Sequence, residues 1–197
     1  MVDLMELHKH FILQHLKEGD VAVDFTMGNG NDTLFLAKTV GENGKVYAFD
    51  IQENALISTE KRLKENLDYV NYRLIHDSHH KLKEYVKEPI KAGMFNLGYL
   101  PGSGNKAVTT MRTTTMPAVE AAIELLAPDG VLIIAIYPGH AEGELEGEML
   151  KEYFADTSRF YICPSEFRIL NSPTSPYFFL VEKNKKAKMP TVNKSLN

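Results

Sequence analysis

Four polar clusters stand where apolar runs of this sequence end, and the residue types in them suit a nucleoside with a cationic tail. The first is Asp24-Phe25-Thr26-Met27-Gly28-Asn29-Gly30-Asn31-Asp32-Thr33, directly after the apolar run that starts at Val21. Gly28 and Gly30 permit a tight turn with close backbone approach, and Asn31 or Asp32 can cap a following helix. The N–H groups at such a helix start draw in a ligand, and two cofactor classes use them: dinucleotides and S-adenosylmethionine (SAM). The dinucleotide fingerprint wants a third glycine where this chain has Thr33, and Asp24 would repel a pyrophosphate. A carboxylate there suits a ligand carrying an ammonium and a sulfonium. The second cluster, Asp50-Ile51-Gln52, follows Lys45 to Phe49. Its acid can accept both hydroxyls of a ribose, which NAD and SAM share, so Asp50 alone does not choose between them. The third is Asp77-Ser78-His79-His80, and the fourth begins at Asn96, where an apolar strand should end. Glycines after a strand also serve as plain turn residues, but acids at two strand ends favour the ligand loop.

These clusters need a frame of alternating strands and helices. An amphipathic helix over residues 3–16 places Leu4, Leu7, Phe11 and Ile12 at helical spacing. Strands follow at 21–25, 45–50, 71–76 and 93–98, with helices from Thr33 to Val40 and from 53 to 67, the latter with Leu56, Ile57, Leu63 and Leu67 inward. A Gly- and Pro-rich loop, Tyr99 to Lys106, leads to a helix over 109–127. Then come a turn at Pro128-Asp129-Gly130, a buried strand from Val131 to Tyr137 and an acidic helix from Glu142 to Phe154. Two β runs, 159–170 and 177–182, close the chain without a helix between them and predict an antiparallel hairpin at one edge. The expected fold is α/β: a seven-stranded, mostly parallel Rossmann-like sheet with helices on both faces, the architecture of class I SAM-dependent methyltransferases rather than a six-stranded dinucleotide domain.

Composition sets bounds. The chain has 197 residues, 44% hydrophobic and 24% charged, which suits a single folded domain over 1–184, its N-terminal helix (1–18) packed on it, and a basic tail over 185–197. No apolar run approaches the roughly 20 residues of a membrane helix, and Asp3, Glu6 and Lys9 break the first segment, so a cytoplasmic location without membrane contact is expected. Net charge −4 disfavours nonspecific coating of nucleic acid but permits a local basic patch. Cys163 reads as a buried small hydrophobe. His8 and His10 lie on different helix faces without an acidic or Cys cluster, so no metal is expected and the three helix histidines read as a solvated or RNA-facing surface.

Taken together, the runs Asp24 to Thr33, Tyr47-Ala48-Phe49-Asp50-Ile51-Gln52, Asn96-Leu97-Gly98-Tyr99-Leu100-Pro101-Gly102 and Tyr137-Pro138-Gly139-His140 resemble one small bacterial family, once described as rRNA methylases. Its members are understood as tRNA 5-(aminomethyl)-2-thiouridine methyltransferases, which use SAM to methylate the wobble-position aminomethyl group. The resemblance implies that Asn29 and Asn31, with Gly28 and Asp24 in the same loop, hold the methionine end of SAM. It further implies that Asp50 with Gln52 takes the ribose, that Ser78 and His79 flank the adenine, and that Asp77 can accept from its amine. Asn96 to Pro101, including Leu100, would shape the methyl-transfer pocket, which Tyr137 and His140 close. The chain departs from the family's usual pattern at Asn31, Pro138, Ala141, Glu144 and Ser175, positions that bear more on substrate than on cofactor.

Methyl transfer needs the acceptor in line and close, so positioning supplies much of the catalysis. Asn96 is expected to orient the amine, with Tyr99 or Tyr137 lining the pocket and His140 as a base or phosphate contact. Cys163 lies in the wrong part of the chain for the cysteine attack that uracil-C5 methylation uses, which favours a heteroatom acceptor. For a tRNA anticodon stem-loop the candidate contacts are Lys9, Lys106, Arg112 and Lys185, Lys186 and Lys188, and a homodimer would present a wider surface. The competing readings are an enzyme acting on another RNA or on a small molecule, and a nonenzymatic nucleotide-binding module.

Overall fold

In the computed structural model, residues 3–98, 110–138 and 141–187 are described, the side chains of Met5 and Ala141 excepted. The chain runs α1 (Leu4–His15), β1 (Val21–Asp24), α2 (Asn31–Val40), β2 (Lys45–Asp50), α3 (Glu53–Asn66), β3 (Tyr72–His76), a 3-10 turn (His79–Lys81), α4 (Leu82–Tyr85) and β4 (Ile90–Leu97). It continues α5 (Arg112–Leu125), β5 (Leu126–Ile136), α6 (Ala141–Ala155), β6 (Ile162–Phe167) and β7 (Tyr177–Lys183). The seven strands form one sheet in the order β3-β2-β1-β4-β5-β7-β6. β1 to β5 are parallel, while β7 pairs antiparallel with both β5 and β6. The expected C-terminal hairpin therefore folds back so that its second strand enters the sheet beside β5.

Strand alternation sends successive side chains to opposite faces, and each face carries its own core. On one, Val131, Ile133 and Ala135 of β5 and Phe178 and Leu180 of β7 pack with Ile12 of α1 and Leu16 just beyond it, Leu36 and Val40 of α2 and Leu63 of α3. On the other, Leu132, Ile134 and Ile136 pack with Leu82 of α4, Val119 and Ile123 of α5 and Leu150 and Phe154 of α6. Phe25 and Phe95 stack with ring centroids 3.8 Å apart on this face. Gly93 makes room for them: a Cβ there would lie 2.8 Å from the Phe25 ring and 2.6 Å from Leu132.

The structure corrects several local expectations. α2 is capped by Gly30 in the left-handed region, with no side-chain cap bond from Asn31 or Asp32. Ile57 points outward, 60% exposed, while Ala55 and Thr59 take the buried face of α3. β5 begins at Leu126, so Pro128-Asp129-Gly130 is an irregularity within a strand, with Asp129 at φ 59°. Cys163 is exposed, because β6 is the sheet edge. His8 is buried rather than solvated, its ring edge-on to Phe178, because α1 lies across β5 and β7. Lys183 belongs to β7, its ammonium donating to the carbonyls of Ile123 and Glu124 at 2.9 and 3.3 Å. No helix among the described residues is long and apolar enough to cross a membrane.

Candidate functional site

Strand order reverses between β1 and β4, and in such a sheet the crevice beyond the carboxyl ends of these two strands is where a ligand fits. β1 ends at Asp24, whose carboxyl is fully buried, accepting from the Thr33 hydroxyl at 2.6 Å and the Thr26 N–H at 3.1 Å. Burial, reinforced by Asp32, raises its pKa to about 7 against the pull of those two hydrogen bonds. Asp24 offers no surface to a ligand. It ties the strand end to the first turn of α2 and so braces the loop between them.

Gly28 and Gly30 take φ of 50° and 77°, the left-handed region open to glycine. At Gly30 a Cβ would also meet Thr59 at 2.8 Å. The loop's carbonyls turn towards α3: Ser58 and Thr59 hydroxyls donate to Gly28 O at 3.3 and 3.1 Å, and Arg62 Nε to Asn29 O at 2.7 Å. These three α3 residues were not expected at the site; a pair of hydroxyls in an otherwise charged helix was their only signal. Asn31 is exposed on the first turn of α2.

Asp50, at the end of β2, is half-buried. Its Oδ2 accepts the Gly28 N–H at 3.1 Å and its Oδ1 the Gln52 N–H at 3.0 Å, and the Ile51 N–H also bonds the carboxylate, which leaves acceptor capacity for a ribose hydroxyl. Burial raises its pKa, opposed by the backbone donors. Ser78 is half-buried after β3. His79 turns inward, Nδ1 3.1 Å from Phe25 O and its ring edge-on to Phe95; burial lowers its pKa to about 4 and keeps it neutral, and its Nε2 is buried without a partner. Asp77 is engaged by Lys81 Nζ at 3.0 Å and Tyr85 Oη at 2.8 Å.

At the end of β4, Asn96 is fixed from three sides. Its N–H donates to Thr26 Oγ1 at 2.8 Å, its Nδ2 to Asp32 Oδ2 at 2.7 Å, and the Tyr137 hydroxyl donates to its Oδ1 at 3.3 Å. A carboxylate only accepts, so the amide nitrogen must face Asp32 and the amide oxygen must face Tyr137. Asn96, Tyr137, the glycine loop and Asp50 thus share one crevice. Arg112 is exposed at the start of α5, paired with Glu142 at 3.1 Å, and Lys9 is paired with Glu6 at 2.7 Å. Tyr99, Leu100, Pro101, Lys106, His140 and Lys188 lie outside the described residues. Among the described residues no group of three His, Cys, Asp or Glu is placed to hold a metal ion.

The donor set fits SAM. The loop offers N–H groups at a helix start, Asp50 offers a carboxylate acceptor for a ribose, and Asn96 faces the same crevice from the neighbouring strand.

Comparison with known proteins points to methyltransferases. A family profile described as "Putative rRNA methylase" matches residues 46–183. A protein from Arabidopsis thaliana named "tRNA (mnm(5)s(2)U34)-methyltransferase, chloroplastic" is 37% identical over 182 residues, covering 86% of this chain; the match spans 65% of that relative's length. The crystal structure of a "putative rRNA-methylase" from Clostridium thermocellum is 38% identical, with a TM-score of 0.88 over 93% of this chain and 98% of that one. A "putative methyltransferase" from Streptococcus mutans, solved in complex with SAH, is 37% identical, with a TM-score of 0.84 over 93% and 99%.

Proposed function

This chain belongs to the rRNA methylase family, and on that premise we propose that it is a SAM-dependent N-methyltransferase converting 5-aminomethyl-2-thiouridine at the tRNA wobble position into 5-methylaminomethyl-2-thiouridine. The observation that carries the reading is the orientation of Asn96. Its Oδ1 receives one hydrogen bond, from Tyr137, and keeps a second lone pair at the end of β4, where an acceptor amine would sit. An amine that donates an N–H to this oxygen has its own lone pair turned into the crevice. The name of the Arabidopsis relative supports wobble uridine as the acceptor, and the SAH in the Streptococcus mutans relative supports the cofactor.

When bound, SAM supplies an electrophilic methyl group on a positively charged sulfur. Asp50 and Gln52 hold the ribose, the Gly28 to Asn31 backbone receives the methionine end, Ser78 and His79 border the adenine, and Tyr137 lines the methyl-transfer side. Asp24 acts on the loop rather than on the ligand. The amine reacts in its neutral form, and no general base is required if it loses its proton before binding. The partner is a tRNA anticodon stem-loop in the cytoplasm, and a second copy of the chain would widen the surface that receives it.

Reconstitution tests this directly. Purified protein, SAM and tRNA carrying the aminomethyl nucleoside should yield the methylaminomethyl nucleoside by mass spectrometry. Asn96→Ala, which keeps the backbone bond to Thr26, should lower turnover about tenfold or more, as loss of a hydrogen bond to a developing charge costs, while SAH affinity stays within about threefold. Absence of methyl transfer would overturn the reading, and wild-type turnover in the variant would remove Asn96 from the mechanism.

A further inference from the structure

Asp32 is the unassigned acid of this crevice. It stands half-buried in the first turn of α2, yet makes no cap bond to the helix. Its Oδ2 instead reaches across to β4 and accepts Asn96 Nδ2 at 2.7 Å. That contact determines which way the carboxamide faces, since the same side chain flipped would set two acceptors against each other. The negative charge is felt all round the crevice. After burial, Asp32 is the strongest influence raising the pKa of Asp24 and of Tyr137, and at His8, whose pKa burial lowers, it is the largest opposing effect.

We infer that Asp32 is a positioning residue for methyl transfer: it fixes the Asn96 carboxamide and sets a negative charge beside the nitrogen that becomes cationic. The inference rests on the proposed N-methylation. In that reaction the amine lone pair forms the N–C bond as the C–S bond breaks and its electron pair returns to sulfur. The positive charge passes from sulfur to nitrogen, and the resulting secondary ammonium then gives a proton to water. A carboxylate on the nitrogen side is worth little to a neutral amine and more to the transition state, where that nitrogen is already partly positive. It also stabilises a bound ammonium, which raises the pH at which the bound amine loses its proton. Asp32 therefore favours acceptors that end the reaction as cations.

The test is the pH dependence of kcat for the full chain with tRNA carrying the aminomethyl nucleoside, in wild type, Asp32→Asn and Asp32→Ala. Asparagine keeps an acceptor for Asn96 Nδ2 without the charge; alanine removes both. Asp32→Asn should bind SAH within about threefold of wild type, while its high-pH plateau of kcat falls about tenfold or more and its inflection moves to lower pH. Asp32→Ala should fall further, as Asn96 is released. An Asp32→Asn plateau and inflection at wild-type values would overturn the inference. A loss of SAH binding in step with turnover would overturn it too, leaving Asp32 as a determinant of loop shape. Wild-type protein that does not methylate this tRNA would sink the N-methylation reading and the inference together, whereas wild-type turnover with an unaffected variant sinks only the role of Asp32.

Discussion

At the scale of single residues, two buried groups that bond the backbone of residues 25–26, Asp24 and His79, are shifted in opposite senses. Asp24 has a folded pKa of about 7 against 3.8 for an ordinary aspartate, so the native chain keeps a proton that the unfolded chain has released. Its contribution to stability therefore falls as pH rises from near 3.8 to near 7, by up to about 1.4 kcal/mol per pH unit. His79, lowered to about 4 from 6.5, refuses a proton that the unfolded chain accepts, so its contribution is lost as pH falls through that window. Between about pH 4 and 6.5 the two slopes oppose. Asp24→Asn should unmask the histidine: urea unfolding should show stability climbing more steeply between those limits than in wild type, and an unchanged slope would mean that Asp24 is ionised throughout. Asp24 and Asp50 were both legible as acids at strand ends. Their different tasks were not, because the Asp24 carboxyl is buried against Thr26 and Thr33, whereas Asp50, at the end of β2, is only half-buried. Asp32 read as a helix cap, since the partner that claims it, Asn96, is 64 residues away in sequence.

At the scale of elements, α5 and α6 tie together the described residues on either side of 99–109. The Thr110 N–H donates to Gly98 O at 3.1 Å, joining the two ends of residues 99–109. Glu146 of α6, with no exposed surface, accepts the Thr110 hydroxyl at 2.7 Å and the Thr115 hydroxyl of α5. Burial raises the pKa of this carboxyl, and the two hydroxyls oppose the rise. Glu146→Ala leaves both hydroxyls without their acceptor and should destabilise the fold by about 1–3 kcal/mol, read from urea unfolding. A variant as stable as wild type would show that the contact contributes nothing. The helix itself was legible, but Glu146 was not, because it is one of several glutamates in a run that reads as a solvated face. Only packing against α5 separates it from Glu144 and Glu148. The short turn and helix from His79 to Tyr85 were also unread, since four residues of α4 are too few to show a helical period.

At the scale of the whole molecule, alternating strands and helices announced a parallel sheet, and the two helixless runs at the end announced an antiparallel pair. Hydrophobic spacing fixes which residues face which core, so Val131 to Ile136 alternate between the two cores as a doubly covered strand must. The insertion of β7 between β5 and β6 was beyond the pattern, because pairing order depends on which edge is free when the last strands dock. Function depends on the other part of the order, which sets β1 and β4 side by side at the reversal point, with the glycine loop on one and Asn96 on the other. The most direct test of the whole account is nucleoside mass spectrometry on tRNA from cells lacking this protein. In those cells 5-aminomethyl-2-thiouridine should accumulate and the methylaminomethyl form should disappear, and purified protein with SAM should restore it. Unchanged levels of both nucleosides would contradict the N-methylation reading and place the methyl acceptor elsewhere.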